Sequence, residues 1–347
     1  MKILIGNDNF NAHYYIRVGL AKAFNACGHQ THIWNINEKP VFDVFDEFEP
    51  DIFIFQTYNL NKDVIQIIKE RPHLKCIMKA ADWDLIGKID PLIYPVLQAS
   101  QEEIDNVMDL FEETGLPNYL YIHYHPDYIE ETHAGWIKKG LRVESQLSGA
   151  DIFEAHGRNI PNLRSEVVFI GGYWPYKAQT LDKYLIPICN KHNVKIFGNS
   201  QWPVPQYCGY IDNDTANDIL SSSIICPNLS EPHSQVFGYD VIERPFKLLA
   251  NSCFVISDYV EGLSKLFDND EIVFAHTPEE FHKLVSHYVK YPNERIPYTI
   301  RGFQRVIKEH TYFHRVSQIF ERLGYEDESQ KCLEVYQHIL KQMGLTK

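Results

Sequence analysis

The sequence lacks the long apolar run and the leader pattern that mark membrane and secreted proteins. No stretch approaches the roughly 18 apolar residues that a membrane-spanning helix needs. The apolar beginning, MKILIG, turns polar at Asn7, which makes it too short for the apolar core of a signal peptide. We therefore expect a soluble protein without a membrane span.

Cysteine is sparse and follows no recognisable pattern. The seven cysteines are widely spaced, their number is odd, and no Cys-x-x-Cys pair occurs. This argues against both a disulfide framework and a thiolate zinc site. Because reduced thiols are typical of intracellular proteins, the predicted localisation is cytoplasmic.

The sequence has no excess of cations, and nucleotide-binding glycine motifs are missing. Lys and Arg number 33 against 46 Asp and Glu, which gives a formal net charge of -13. A broad nucleic-acid surface or an anionic membrane needs concentrated cations, so we expect neither partner. The patterns GxGxxG and GxxxxGK[ST] do not occur at the expected places, which argues against a dinucleotide dehydrogenase and a P-loop enzyme.

One cluster, YIHYHPD, could in principle approach a metal ion. His123 and His125 would share one face of a strand, with Asp127 close behind. Imidazole pairs do bind transition metals, but no further ligand stands at a diagnostic spacing. We therefore predict no metal site.

What the chain does contain is a regular alternation of short apolar runs with helical patterns, typical of parallel α/β layering. Its 347 residues predict two domains of ordinary size. In the first half the predicted strands are 2–6, 31–36, 51–56, 75–79, 119–123 and 141–146, and the helices are 12–26, 62–70, 102–114 and 128–139. In the second half the predicted strands are 166–171, 195–197, 223–226, 254–257 and 271–274, and the helices include 179–192, 215–221 and 278–288.

The most informative segment is VIERPFKLLANSCFVISDYVEGLSKLF, residues 241–267. Pro245 suits the first position of a helix, which places Arg244 at its beginning and Lys247 in its first turn. Cations there oppose the helix dipole by about 0.3–1 kcal/mol each, whereas the free N–H groups suit an anion such as phosphate. The pattern therefore indicates a phosphate site, and the alternative is a solvated pair on a surface helix.

This segment resembles the donor-binding signature of GT-B glycosyltransferases, especially the CgeB-like and group 1-like enzymes. In that signature Arg-x-Phe-Glu opens a helix, and a strand ending in Ser/Thr-Asp follows; here the matching text is RPFKLLANS and FVISD. The resemblance covers residues 166–320 well and the first 150 loosely. Lys247 stands where the family has a Glu that usually holds the donor's ribose hydroxyls.

The resemblance implies an α/β fold of two Rossmann-like domains with a cleft between them. Residues 1–155 would bind the acceptor and residues 156–315 the donor, and helices in 316–347 would cross back onto the first domain. The implied function is transfer of a sugar from a nucleotide-diphosphate-sugar, with UDP or GDP expected, to an acceptor hydroxyl. Retention of configuration and independence from metal or other cofactors are expected. The alternative is a non-catalytic sugar-nucleotide or glycan-binding protein.

In the resemblance, the turn VFIGGYWPYKAQ belongs to the donor site. Gly171 and Gly172 let the backbone approach a ligand, because neither has a Cβ. The family often has Gly-Arg and a later Lys here, both on the donor diphosphate. Gly172 replaces that Arg, Lys177 is retained, and Arg244 would supply the second charge. The alternative is a glycine turn with a surface lysine.

Further loops are candidates for the donor pocket, with ordinary turn chemistry as the alternative. Gly198 and Asn199 follow one strand, and Tyr210 and Ile211 stand where the fold usually binds the nucleobase. In the segment SEPHSQVFGYDVIE the family pattern is Glu-x-Phe-Gly-x4-Glu. Two registers are possible, one placing Glu243 and the other Lys247 at the second Glu. The candidates from this segment are His233, Ser234, Gln235 and Glu243.

The first half carries the candidates for catalysis and acceptor binding. Asn7, Asp8 and His13 flank the turn after the first strand, where an Asp or His could act as general base. Asp82, Trp83 and Asp84 follow another strand, where Trp83 could stack on a sugar and an Asp could accept from its hydroxyls. Helix capping and packing of Trp83 are the alternatives. Candidate catalytic residues are Asp8, His13 and Asp82, and candidate acceptor residues are Asn7, Trp83 and Asp84.

Overall fold

The structure is a computed structural model that describes residues 1–8, 12–83, 98–155 and 158–345, with the backbone alone at 12 and 13. The chain forms two compact units. Unit 1 combines Met1–Leu147 with Tyr312–Lys347, and unit 2 is Ser148–Thr311. In the described part of the chain, no helix is both long and apolar enough to cross a bilayer.

Unit 1 is built around a parallel sheet of six strands in the order β2-β1-β3-β4-β5-β6. The strands are β1 Lys2–Asn7, β2 Gln30–Asn35, β3 Ile52–Gln56, β4 Lys75–Lys79, β5 Tyr119–Ile122 and β6 Val143–Ser145. The helices are α1 Ala12–Ala26, α2 Val41–Phe48, α3 Lys62–Lys69, α4 Gln101–Thr114, α5 Ile129–Thr132, α6 Ala134–Lys138, α14 Tyr312–Arg322 and α15 Glu326–Gln342.

The central strands of unit 1 are continuous apolar runs because both faces of the sheet are covered. Strand β3, IFIFQ, is buried along its whole length, as expected for a parallel sheet between helices. Phe53 and Phe55 stack on each other at 4.8 Å between ring centroids, and Phe45 meets Phe53 edge-on at 5.1 Å. These aromatic contacts join α2 to the sheet.

The last two helices belong to unit 1 through close packing of α14 on α1. A Cβ at Gly19 of α1 would lie 2.1 Å from the ring of Tyr312, so only glycine allows this approach. Arg322 at the end of α14 donates to the Gln146 side chain at 2.7 Å and to the Ser145 carbonyl at 2.9 Å. The C-terminal helices are therefore held by both packing and polar contacts.

Unit 2 contains five parallel strands: β7 Val167–Ile170, β8 Val194–Phe197, β9 Cys226–Asn228, β10 Val255–Asp258 and β11 Val273–Ala275. Strands β9, β10 and β11 form one ladder and β7 pairs with β8. Val168 N–H donates to the Ile225 carbonyl at 3.0 Å, which joins β7 to the segment leading into β9. The resulting order is β8-β7-β9-β10-β11, so the strand order reverses between β7 and β9.

The helices of unit 2 include α9, in a segment that the sequence predicts to be a loop. Pro232 occupies its first turn and Gly238, with φ 75°, ends it, a pattern typical of a short helix. The full set is α7 Pro175–Tyr184, α8 Asn213–Ser222, α9 Pro232–Phe237, α10 Arg244–Ala250, α11 Glu261–Ser264, α12 Pro278–Lys290 and α13 Ile296–Glu309.

Three predicted boundaries were wrong for local reasons. The helix expected at 179–192 starts earlier, at Pro175, and ends at Tyr184, because Pro187 cannot continue it and a single 3₁₀ turn follows. The helix expected at 128–139 is interrupted at His133, whose backbone (φ −121°, ψ 23°) is not helical. The strand expected at 223–226 begins only at Cys226.

Candidate functional site

The loops that follow β7 and β8 pack backbone against backbone. Gly171 N–H donates to the Phe197 carbonyl at 2.8 Å. A Cβ at Gly198 would lie 2.2 Å from the Gly171 carbonyl oxygen, so no side chain fits between the two loops. The indole N–H of buried Trp202 donates to the same oxygen at 3.2 Å. These contacts fix the glycine turn at the carboxyl end of β7, where parallel sheets bind ligands.

Lys177 lies in the first turn of α7, directly after this glycine turn. It is 6% exposed, and its Nζ is 5.0 Å from the centroid of the Trp174 ring. Nζ has no hydrogen-bond or ion-pair partner in the described residues. Burial, and after it the nearby Arg244 charge, lowers the pKa of Lys177 to about 7, although Glu231 and Asp258 oppose the shift. A buried ammonium without an acidic partner is costly, so the surroundings of Lys177 favour binding of an anion.

Arg244, the first residue of α10, bridges the two strands at the point where their order reverses. Its guanidinium donates to the Leu229 carbonyl after β9 at 3.2 Å and to the Ile170 carbonyl of β7 at 3.3 Å. It also stacks over the Phe169 ring at 4.5 Å. Burial lowers the pKa of Arg244 to about 10, although Glu243 and Asp258 favour its charge.

Two cations thus meet at the strand reversal of unit 2. A Cβ at Gly171 would lie 2.9 Å from the Arg244 guanidinium, so the glycine makes room for it. Lys177 and Arg244 repel each other, since the Arg244 charge lowers the pKa of Lys177. An anionic ligand would relieve both the repulsion and the desolvation cost. The arrangement can therefore bind a phosphate or diphosphate.

The other two charged candidates of this segment have separate surroundings. Glu243 directly precedes α10, and its carboxylate forms no hydrogen bond or ion pair with the described residues. Burial raises its pKa, while the Lys247 and Arg244 charges lower it. Lys247, one turn later, donates from Nζ to the Asn213 side chain at 2.5 Å. Asn213 in turn donates to Glu154. Lys247 is thus occupied by a side-chain network within unit 2.

The α9 segment is organised around two acids, of which Asp258 is buried and Asp240 is half-buried. Asp258, which ends β10, accepts hydrogen bonds from the Ser230 hydroxyl at 3.1 Å and from Gln235 Nε2 at 2.6 Å. Ser234 donates to Asp240 at 3.0 Å, and His233 Nε2 lies 3.4 Å from the same carboxylate. His233 and Ser234 therefore stabilise the segment, whereas Gln235 keeps one polar atom available.

The loops after β8 supply exposed candidates. Asn199 is exposed and Tyr210 is 68% exposed, while Ile211 is half-buried. Gly198 N–H donates to the Gly209 carbonyl at 3.1 Å, which holds the two loops together. The Tyr210 ring lies on a loop that is fixed at its base.

In unit 1, the residues after β1 form a buried polar cluster around Arg17. Its guanidinium donates to the Asn7 side chain at 2.6 Å and to the Gln56 side chain at 3.1 Å. The Asp8 carboxylate lies 3.7 Å from the same group and is partly exposed. The side chain of His13 lies outside the described residues. Asn7 is therefore committed to Arg17, and Asp8 is the more accessible candidate.

The second group of unit 1 candidates is largely internal. Asp82 is 1% exposed, and its carboxylate lies 3.9 Å from His133 Nε2. Burial lowers the pKa of His133 to about 4. Trp83 packs edge-on against Trp136 at 4.8 Å and covers Gly135, where a Cβ would lie 2.3 Å from its ring. Asp84 lies outside the described residues.

The histidines considered for metal binding have local partners. His123 Nδ1 lies 2.5 Å from the Gln146 carbonyl, and His125 Nδ1 accepts from the Asp127 backbone at 3.3 Å. Within the described ranges, no group of three or more His, Cys, Asp or Glu could hold a metal ion. The described cysteines are all free thiols.

Three residues that support the candidate sites of the two units were not identified from the sequence. Asp258 was noted only as the end of a strand, and its contact with Gln235 depends on the fold. Trp202 supports the glycine turn from a loop with no diagnostic pattern. Arg17 lies ten residues after Asn7 on α1, and its spacing alone did not place it beneath the turn.

Comparisons with known proteins agree with this geometry. Residues 179–321 match a family described as glycosyl transferase-like. No curated protein matches the sequence. T4 phage BGT in complex with its UDP-glucose substrate is similar at 14% identity and a TM-score of 0.56, with 96% of this chain and 99% of that chain covered.

Two further solved structures show the same likeness over nearly the whole chain. An alpha-glucosyltransferase in complex with UDP and a 13-mer DNA has 10% identity, a TM-score of 0.66, and coverage of 93% and 99%. Sucrose-phosphate synthase from Thermosynechococcus elongatus has 10% identity, a TM-score of 0.62, and coverage of 92% and 98%. The predicted α/β fold class and the broad resemblance are confirmed, while the narrower CgeB-like likeness stays a prediction. The chain has the GT-B glycosyltransferase fold, and residues 179–321 carry the match to the glycosyl transferase-like family.

Proposed function

We propose that this protein is a glycosyltransferase that moves a sugar from a nucleotide-diphosphate-sugar to an acceptor hydroxyl. The observation that carries the proposal is the pair Lys177 and Arg244 at the strand reversal of unit 2. Lys177 is buried, and its ammonium contacts a ring face and no acid within hydrogen-bond distance in the described structure. Two desolvated cations at this position fit the diphosphate of such a donor.

The same pair accounts for the chemistry. When the bond between the anomeric carbon and the diphosphate oxygen breaks, the electron pair stays on that oxygen. Lys177 and Arg244 are already fixed by packing and by backbone contacts, so they stabilise this charge without reorganising. Removing one preorganised electrostatic contact of this kind typically costs about 10²–10³ in rate.

The proposed donor is a UDP-sugar. Support comes from the fold, since T4 phage BGT and the alpha-glucosyltransferase were solved with UDP-glucose and UDP. Glu243 is the proposed ligand of the ribose hydroxyls, because its carboxylate precedes Arg244 and forms no hydrogen bond or ion pair in the described part of the chain. Lys247 already donates to Asn213. The loop with Tyr210 and Ile211 would border the base.

We further propose retention of configuration and a reaction that needs no metal ion. The loop pattern around Gln235 and Glu243 resembles that of retaining enzymes, and two protein cations lie where a metal would otherwise neutralise the diphosphate. T4 phage BGT has also been solved with UDP and Mn²⁺, so activity should be measured with and without EDTA and added Mn²⁺. The configuration of the product anomer, determined by NMR, tests retention directly.

Unit 1 is the proposed acceptor unit, corresponding to residues 1–155 with the helices of 316–347. Asp8 is the accessible carboxylate after β1 and is the preferred candidate for contact with the acceptor hydroxyl. His13, Trp83 and Asp84 remain proposed neighbours of that site. Asp82 is less suited to contact an acceptor, because its carboxylate is buried beside His133.

The decisive experiment compares nucleotide binding and turnover in matched variants. UDP, GDP and their glucose conjugates are added to the protein, and binding raises the melting temperature by mass action. Lys177→Gln should lose this shift, whereas Lys183→Gln, an exposed lysine on the same helix, should keep it. Time-dependent release of UDP from UDP-glucose supports an enzyme. Binding without release supports a non-catalytic sugar-nucleotide-binding protein.

A further inference from the structure

The side-chain amide of Gln235 is held in one orientation by Asp258. Asp258 Oδ2 accepts from Gln235 Nε2 at 2.6 Å, and Oδ1 accepts from the Ser230 hydroxyl at 3.1 Å. The Ser230 backbone N–H lies 3.1 and 3.0 Å from the two oxygens. Asp258 is 0% exposed. Burial raises the pKa of Asp258, whereas the hydrogen bonds from Gln235 and Ser230 and the Arg244 charge favour the ionised form. An ionised carboxylate can only accept hydrogen bonds, so the nitrogen of the amide faces Asp258.

This orientation leaves Oε1 as the available polar atom of Gln235. Oε1 accepts no hydrogen bond from the described parts of the chain, and the side chain is half-buried on α9. The position is close to the two cations. Arg244 donates to the Leu229 carbonyl at 3.2 Å, directly before Ser230, and the His233 N–H on α9 donates at 3.0 Å to the hydroxyl of Tyr176, the residue before Lys177. Gln235 therefore offers a neutral hydrogen-bond acceptor beside the cationic pair.

We propose that Asp258 is a positioning residue that fixes Gln235 with Oε1 directed to a hydroxyl of the donor sugar. This rests on the proposed function, because the ligand is the sugar of the donor. A sugar hydroxyl can donate to Oε1, whereas an amide turned the other way would offer only N–H donors.

The arrangement explains why an amide rather than a carboxylate occupies position 235. With Glu at this position, two carboxylates would lie in contact and would have to share a proton. The buried acid at 258 and the amide at 235 therefore form a matched pair. Exchanging the two groups should preserve both the contact and the total charge.

Three variants test the pair: Asp258→Asn, Gln235→Glu, and the double variant with the groups exchanged. In Asp258→Asn, the new amide nitrogen donates, so Gln235 turns and presents Nε2 in place of Oε1. We expect kcat for UDP-glucose turnover to fall about 10- to 100-fold, with a smaller change in the Kd of UDP. The double variant keeps one negative charge and the Ser230 contacts, and should recover most of the lost rate.

A second measurement follows the pair without any turnover. Gln235→Glu places two carboxyl groups together, so the pKa of the shared proton is raised in the folded state. Stability is then present at low pH and is lost as pH rises through that pKa, relative to wild type. Melting temperatures between about pH 5 and 8 should show this loss for Gln235→Glu and not for the exchanged pair. Lys177, Arg244 and Glu231 are the charged neighbours, and they are the same in all variants.

The outcomes separate the two proposals. If wild type neither binds nor turns over UDP-sugars, the proposed function fails, and a melting temperature of Gln235→Glu that follows wild type at every pH overturns the positioning pair. If wild type is active and Asp258→Asn retains its rate, the role of the oriented amide is wrong although the function stands. Loss in Asp258→Asn with recovery in the exchanged variant supports the inference.

Discussion

The charge state of Lys177 makes donor affinity depend on pH in the neutral range. Its pKa is lowered to about 7, first by burial and then by the Arg244 charge. A bound diphosphate places negative charge beside Nζ and so raises the pKa in the complex. Binding above neutral pH must therefore take up a proton. We expect affinity for UDP-glucose to fall as pH rises from 6 to 9.

The size of the effect follows from the fraction of charged lysine in the free protein. With a pKa of about 7, Lys177 is mostly charged at pH 6 and only about one tenth charged at pH 8. If the charged form binds and the pKa in the complex lies well above 8, Kd rises about tenfold between these pH values. That corresponds to about 1.4 kcal/mol.

Isothermal titration of UDP-glucose into the protein measures this directly. UDP-glucose is preferred to UDP because its diphosphate has no terminal phosphate with a pKa near 6. Repeating the titration at pH 8 in buffers of different ionisation enthalpy gives the number of protons taken up, expected to approach one. Lys177→Gln should bind weakly at all pH values with no such slope, and Lys183→Gln should follow wild type.

A Kd that stays constant between pH 6 and 9 in wild type would refute the reasoning. So would an equal slope in Lys177→Gln, since that side chain does not titrate. In the first case, the charge of Lys177 does not contribute to binding of the diphosphate. In the second case another group causes the pH dependence.

Other predictions concern the ribose contact, the glycine loops and the core. Glu243→Gln should weaken UDP binding about tenfold, whereas Lys247→Met should change it less than threefold because Lys247 already donates to Asn213. A stronger loss in Lys247→Met than in Glu243→Gln would favour the register in which Lys247 stands at the second Glu of the family pattern. Gly198→Ala should lower both melting temperature and UDP affinity, since its Cβ would lie 2.2 Å from a backbone oxygen. Gly171→Ala should cost less stability, because its Cβ would meet side-chain atoms of Arg244 and Phe169 at 2.9 and 3.0 Å. Phe281→Ala should destabilise unit 2 by about 3–5 kcal/mol in urea unfolding, because the ring is fully buried.

The sequence was sufficient to predict the strands and the fold class because parallel strands are distinctive. Runs such as IFIFQ are apolar throughout, and the helices between them have clear amphipathic patterns. Boundaries were less well predicted where a short-range signal competed with periodicity. Pro187 ended a helix that its apolar pattern would have continued, and Gly238 ended one that was not expected.

The candidate site could be predicted only as far as its backbone motifs. Gly171 and Lys177 follow a strand and begin a helix, so their place at a sheet edge follows from local sequence. Whether a charge faces the site depends on its neighbours in space. Lys247 has an equally plausible sequence position, yet Asn213, 34 residues away in the chain, accepts its hydrogen bond. No local pattern carries that information.

The difference between Lys177 and Lys247 also determines which cation can respond to a ligand. A lysine that already donates to an amide oxygen must lose that contact before it can bind a phosphate, which offsets part of the gain. The Lys177 ammonium lies beside the Trp174 ring and has no hydrogen-bond partner among the described residues. An anion therefore compensates for its lost solvation without displacing another hydrogen bond. The burial that lowers its pKa thus also increases what a diphosphate gains by binding there. A site built this way favours a ligand that brings two negative charges, since one is needed to balance Arg244 and another to restore the proton of Lys177.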